Sequence, residues 1–175
     1  MRKVKIGLIG CGTVGGGVVK LLFKEGSNYQ DRFGPEIELA KVCSRTKSKI
    51  TALGVPEERI VDDYHQIIDD PEIDIVVELV GGTGFAGDVV RDALKAGKNV
   101  VTSNKALVCT FYDELLPLVK EKGISFRCTA AVGGGIGWLS ELERARRVQK
   151  IVEVGGIMNG TCNYILDNMT RTGLT

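Results

Sequence analysis

Apolar residues follow two alternating patterns along this chain. Short runs rich in Val and Ile, at Val4–Ile9, Ile37–Val42, Ile60–Val61, Ile73–Leu79, Asn99–Thr102 and Ser125–Cys128, predict strands. Between them, near Val14–Phe23, Tyr64–Ile68, Gly84–Ala96 and Tyr112–Lys122, apolar positions recur at helical spacing. This alternation predicts stacked βαβ units and a parallel sheet covered on both faces, because parallel neighbours need a crossover long enough to hold a helix. Gly97 and Gly123 fall where helix C-caps belong, each just ahead of a strand. The polar, turn-rich stretch Gly26–Pro35 reads as a loop that lengthens the first crossover.

Beyond Gly133-Gly134-Gly135 the pattern changes. A charged helical segment, Trp138–Gln149, is followed by an expected strand at Ile151–Val154, a Gly155-Gly156 break, and a helix around Asn163–Met169 with Thr161 or Cys162 near its start. Residues 131–175 carry too little apolar surface for an independent core, so they read as the opening of a second domain.

A length of 175 residues accommodates one ordinary domain plus part of another. With 43% hydrophobic and 26% charged residues and a net charge of +1, nothing draws the chain toward nucleic acid or a membrane; small molecules are the expected partners. Lys5 and Gly7 interrupt the apolar N-terminus, which therefore lacks the core of a signal peptide, and no run reaches membrane-spanning length. The five cysteines form no C-x-x-C pair, so neither a zinc site nor a disulfide framework is indicated. Reduced thiols in a cytoplasmic protein are the expectation.

The most specific local signal is Gly10-Cys11-Gly12-Thr13-Val14-Gly15, a G-x-G-x-x-G between the first strand and the first helix. Gly10 permits the tight turn, Gly12 lets a pyrophosphate approach the backbone, and Gly15 lets the helix pack closely on the strand. The amides at the helix N-terminus complement phosphate charge. The fold class is therefore α/β, a Rossmann-type doubly wound parallel sheet over residues 1–130. Residues 131–175 would begin an incomplete α+β substrate domain.

An acid at the end of the second strand would bind a ribose 2′-hydroxyl and repel a 2′-phosphate. This chain has Cys43-Ser44-Arg45-Thr46-Lys47-Ser48-Lys49 there, with no acid and three cations. NADP(H) is thus preferred with NAD(H) possible, Arg45 being the candidate phosphate partner; the alternative makes Arg45, Lys47 and Lys49 a solvated helix start. Glu78-Leu79-Val80-Gly81-Gly82-Thr83 ends the fourth strand and Thr102-Ser103-Asn104-Lys105-Ala106 ends the fifth, so both segments are expected beside the nicotinamide. Lys105 there either polarises a carbonyl or is simply solvated. His65, the one histidine, reads as a surface residue, and Trp138, Leu139 and Leu142 read as a packing stripe.

In order and spacing these motifs resemble homoserine dehydrogenase. The matching stretches are 7–15, 76–83 and 93–107, then Ala130-Ala131-Val132-Gly133-Gly134-Gly135-Ile136, and finally 156–166 with its Asn159-Gly160-Thr161. The resemblance implies NAD(P)-dependent interconversion of L-homoserine and L-aspartate 4-semialdehyde, a step toward threonine, methionine and isoleucine. It further implies that Thr13 and Val14 join the glycines at the cofactor, that Arg45 meets the 2′-phosphate, and that Lys105 lies close to nicotinamide and substrate. Gly160 and Thr161 would border the substrate. The family also binds a monovalent cation, usually sodium, through a glutamate and backbone carbonyls. The corresponding carbonyls here belong to Val132, Gly134 and Ile136, but Thr129 stands where the glutamate is expected, leaving the set without its anionic ligand.

Two further departures bear on activity. Gly137 replaces the usual proline, and Trp138–Lys150 leaves the family pattern. The family's substrate-amine acids and proton-donor lysine lie beyond the Asn-Gly-Thr helix, with no counterpart before Thr175. Impaired turnover is the expectation, and because the family assembles through its second domain, any homodimer should be weak or altered. Two alternatives stay open: a non-catalytic NADP(H)-binding module, or a different Rossmann-type amino-acid or sugar dehydrogenase.

Overall fold

A computed structural model describes residues 3–157 and 159–173. Six parallel strands, β1 (Lys3–Ile9), β2 (Glu36–Cys43), β3 (Ile60–Val61), β4 (Ile75–Glu78), β5 (Asn99–Thr102) and β6 (Phe126–Arg127), form one sheet in the order β3-β2-β1-β4-β5-β6. Each lies within a residue or two of its predicted bounds, since β-branched runs favour the pleated, half-buried state. The chain builds outward from β1 in one direction and from β4 in the other. Their shared boundary, with Ile6 beside Ile75 and Ile9 beside Glu78, is therefore the switch point where such sheets open a crevice.

Helices α1 (Thr13–Phe33), α2 (Lys47–Thr51), α3 (His65–Ile68), α4 (Gly84–Lys95) and α5 (Lys105–Lys122) cover the sheet. Side chains alternate between its faces, so Leu8 and Val77 join one core with Val19 and Ile50, while Ile9 and Val76 join the other with Val90, Leu94 and Leu107. Burying each such side chain contributes about 1.5–3 kcal/mol. Gly97 and Gly123 adopt left-handed φ values of 77° and 63° at the ends of α4 and α5, as C-caps require.

Three sequence expectations are corrected. The stretch Gly26–Pro35 is not a loop: α1 continues to Phe33 as a solvent-facing extension in which the Asn28 amide donates to Glu25, and it stops at Gly34 with φ 88°. Helix α5 begins at Lys105 rather than Tyr112, because the Asn104 side chain accepts the Leu107 amide at 3.1 Å and so caps the first turn. No strand forms at Ile151–Val154; Val152 is 87% exposed, and among the described residues nothing pairs with this segment.

The chain divides into two compact units, one closing at Leu139 and the other opening at Ser140. α6 (Trp138–Arg146) crosses that division. In the second unit α7 (Gly160–Thr172) is capped by Asn159, whose side chain accepts the Cys162 amide at 3.0 Å, and ends at Gly173. Tyr164, Ile165 and Leu166 on α7 are exposed. Met158, within the 156–166 match, lies outside the described residues. No helix among the described residues is long and apolar enough to cross a membrane.

Candidate functional site

Most candidate residues of the first unit lie at the carboxyl end of a strand, on the turn that follows it, or in the first turn of the next helix. At the end of β1, Gly10 has φ 96° and donates its amide to the Cys43 carbonyl at 2.8 Å, which ties the glycine turn to β2. A β-carbon on Gly10 would meet the backbone of Leu79, and one on Gly15 would strike the carbonyl of Gly10. A β-carbon on Gly12 would meet nothing within 4 Å. Gly10 and Gly15 thus serve internal packing, while Gly12 keeps a space open at the N-terminus of α1. The turn fits a bound pyrophosphate.

On one side of this turn lies a cleft of about 540 Å³ lined by Val14, Leu79, Val80 and Gly81, by Ser103, Asn104, Lys105 and Ala106, and by Ala130, Ala131 and Gly133. Lys105 is the single titratable side chain in that lining; it is exposed at the first position of α5 and has no ion-pair partner among the described residues. On the other side a groove of about 370 Å³ is bounded by Gly12, Thr13, Gly16 and Gly17 and by the lysines Lys20 and Lys49.

The cations near the end of β2 have separate fates. Lys47 pairs with Asp62 at 2.7 Å, and Asp63 binds the His65 ring at 2.8 Å. The two acids that follow β3, the strand beside β2, are therefore both engaged. Arg45, Lys49 and Lys20 have no ion-pair partner among the described residues, and Arg45 is exposed on the turn between β2 and α2. Lys49 is one of the three cations read from the sequence, whereas Lys20 was not a candidate. Only the turn of α1 that carries Lys20 back beside Gly16 could have pointed to it.

A second group lies within the two strand-end segments expected beside the nicotinamide, but the bonds that join its members were not read from the sequence. Glu78, fully buried at the end of β4, accepts the amides of Val80 and Gly81 on one oxygen, at 2.7 and 3.4 Å, and the Thr102 hydroxyl on the other at 2.6 Å. Thr102 in turn accepts the Asn104 amide at 2.9 Å, and the Asn104 side chain donates to the Gly82 carbonyl at 2.6 Å. The signal was present: Glu78 is a lone acid inside the apolar run Ile75–Val80.

His65 is a surface residue, as expected, and the Asp63 carboxylate raises its pKa. Its neighbour Tyr64 donates to Asp92 at 2.9 Å; burial, and then that carboxylate, push the phenol up to about 12. Burial raises the thiols of Cys11 and Cys43, and the five cysteines are free. Thr129 opens a short 3-10 turn to Ala131, and Val132, Gly134 and Ile136 follow on exposed backbone. Among the described residues no three His, Cys, Asp or Glu side chains gather as metal ligands. Gly160 and Thr161 open α7 in the second unit.

Comparison with known proteins gives a consistent result. The family model described as homoserine dehydrogenase, NAD binding domain, matches residues 10–128, and a second, described as homoserine dehydrogenase, matches 138–175. The chain is 36% identical over 173 residues to the homoserine dehydrogenase of Neisseria gonorrhoeae, covering 99% of this chain and 40% of that one. It is 39% identical over 170 residues to that of Corynebacterium glutamicum, covering 97% and 38%. Among solved structures, a homoserine dehydrogenase from Thiobacillus denitrificans superposes with a TM-score of 0.88 at 38% identity, covering 99% of this chain and 40% of that one.

Proposed function

Because this chain belongs to the homoserine dehydrogenase family, we propose that its first unit binds NADP(H) in preference to NAD(H) and presents the nicotinamide to Lys105 for the interconversion of L-homoserine and L-aspartate 4-semialdehyde. The reading divides the chain into a dinucleotide-binding part through residue 130 and the beginning of a substrate domain thereafter. It places the reaction in the biosynthesis of threonine, methionine and isoleucine.

The observation that carries it is the juxtaposition of the open glycine turn with the Lys105 cleft across the switch point between β1 and β4. When bound, the nicotinamide ring supplies or accepts the hydride. The residues of this chain would then do the rest. The free amides of α1, with Gly12 and Thr13, bind the pyrophosphate. Val14, Leu79 and Ala131 line an apolar wall, and the Lys105 ammonium holds the substrate oxygen. Gly160 and Thr161 would supply an amide and a hydroxyl to the substrate.

Preference for NADP(H) rests on charge. Arg45 and Lys49 have no ion-pair partner among the described residues near the end of β2, while Asp62 pairs with Lys47 and Asp63 is hydrogen-bonded to the His65 ring. A dianionic 2′-phosphate meets two unpaired cations there, and both nearby carboxylates already have partners.

The chain spans about 40% of the length of the curated relatives it matches. Lys105 is the one titratable group lining the cleft, so proton transfer to the carbinol oxygen has a single candidate there and we expect slow turnover. Fluorescence titration with NADPH and NADH, followed by an assay of homoserine oxidation, tests the reading. Tighter NADPH than NADH binding supports it, and absence of binding to either overturns it. Binding without turnover would mark these residues as a cofactor-holding module.

A further inference from the structure

We propose that Glu78 and Thr102, which touch neither cofactor nor substrate in the reading above, are positioning residues that hold the nicotinamide side of the cleft in its binding shape. The proposal rests on that cofactor reading and adds to it the device that sets the cleft's geometry.

The cleft wall is built from two independent segments: the turn after β4, with Val80 and Gly81, and the start of α5, with Asn104 and Lys105. The second is a capped helical turn, but the first has little rigidity of its own. Gly81 and Gly82 adopt left-handed φ values of 86° and 71°, and β-carbons on either would meet nothing within 4 Å. Glycines in open space lose more conformational freedom on ordering than other residues, so something else must fix this turn. Glu78 does so from below by accepting the amides of Val80 and Gly81, and Asn104 does so from the side by donating to the Gly82 carbonyl.

Direction matters in this chain of bonds. The Asn104 amide donates to the Thr102 oxygen, whose hydroxyl then donates to Glu78. A carboxylate can accept at both oxygens, which the arrangement requires. Glutamine at position 78 would turn one end into a donor, facing either the Val80 amide or a hydroxyl already committed. Valine at 102 has the shape of threonine but strands a buried carboxylate oxygen and the Asn104 amide together. The network links the β4 turn to the first turn of α5, so Lys105 and the glycine pair move as one wall.

The experiment compares two ligands on the same chain: NADPH, which reaches the nicotinamide side, and adenosine 2′,5′-bisphosphate, which carries the adenosine end alone. Thr102→Val and Glu78→Gln should weaken NADPH binding about tenfold or more. Both should leave the bisphosphate within about twofold, and Thr102→Ser should restore NADPH binding. Glu78→Gln keeps the size of the side chain and adds no charge, so it carries the test if Thr102→Val does not fold. Unchanged NADPH affinity in all variants, or parallel loss of both ligands in folded variants, overturns the positioning role. If the unaltered chain binds neither ligand, the cofactor reading itself falls and takes this inference with it.

Discussion

The carbonyl oxygen of Gly10 occupies the space that a β-carbon on Gly15 would need. The start of α1 is therefore seated directly on the end of β1, with no room for a side chain. Gly15→Ala should lower stability by about 1–3 kcal/mol in urea unfolding, because backbone must shift to relieve the clash. Gly12→Ala, whose β-carbon enters empty space, should stay within about 0.5 kcal/mol of the parent yet lose NADPH affinity. Equal stability loss in both variants would contradict the division of labour between these glycines.

Arg45→Ala separates the two cofactors. A charge-assisted hydrogen bond contributes about 1.5–3 kcal/mol, so NADPH affinity should fall roughly tenfold or more while NADH affinity barely changes. Paired titrations at low and moderate salt check this, and the NADPH difference should shrink as salt rises. An equal drop for both cofactors would remove Arg45 from the 2′-phosphate.

His65 is the only histidine, so one imidazole resonance reports its titration. Asp63 raises the pKa of His65, and His65 lowers that of Asp63. The raised histidine contributes stability below its ordinary value, about 6.5, and the contribution is lost as pH rises through the folded value. For the lowered carboxylate the contribution is present above its ordinary value, about 3.9, and disappears as pH falls through the folded one. Their attraction is thus felt most in mildly acidic solution. Asp63→Asn should move the resonance midpoint downward, and an unmoved midpoint would show the ring bond to be absent in solution.

Leu94 is fully buried on α4 in the core shared with Val90 and Leu107. Leu94→Ala should destabilise the first unit by about 2–5 kcal/mol in urea, with NADPH still bound below the transition. A change under about 1 kcal/mol would mean that this face collapses around the missing atoms.

The strands were legible because Val and Ile runs have few other uses in an alternating chain, but right-handed crossovers alone do not say at which strand the winding reverses, so the sheet order needed the structure. The extent of α1 was hidden. Residues such as Gly26 and Asn28 carry turn signals, and nothing local shows that the helix continues past the core. Asn104 was read as part of a loop, although asparagine three residues before Leu107 is also a cap. Ile151–Val154 misled in the opposite direction: its composition favours a strand, but a strand needs a neighbour. Of the site, the glycine turn, Arg45 and Lys105 stood out by motif. The bonds that join Glu78 to Thr102, and the approach of Lys20 to the glycine turn, emerge only when strand ends and a helix turn are brought side by side.

The strand order β3-β2-β1-β4-β5-β6 brings together the proposed ligand-binding residues near 12, 45, 80 and 105, which come from separate strand ends. No short stretch of the sequence holds them all, so recognition of the dinucleotide is thermodynamically tied to folding. Saturating ligand at a hundred times its dissociation constant adds about 2.7 kcal/mol to the native state. The melting temperature of this chain therefore doubles as a binding isotherm, rising with the logarithm of cofactor concentration.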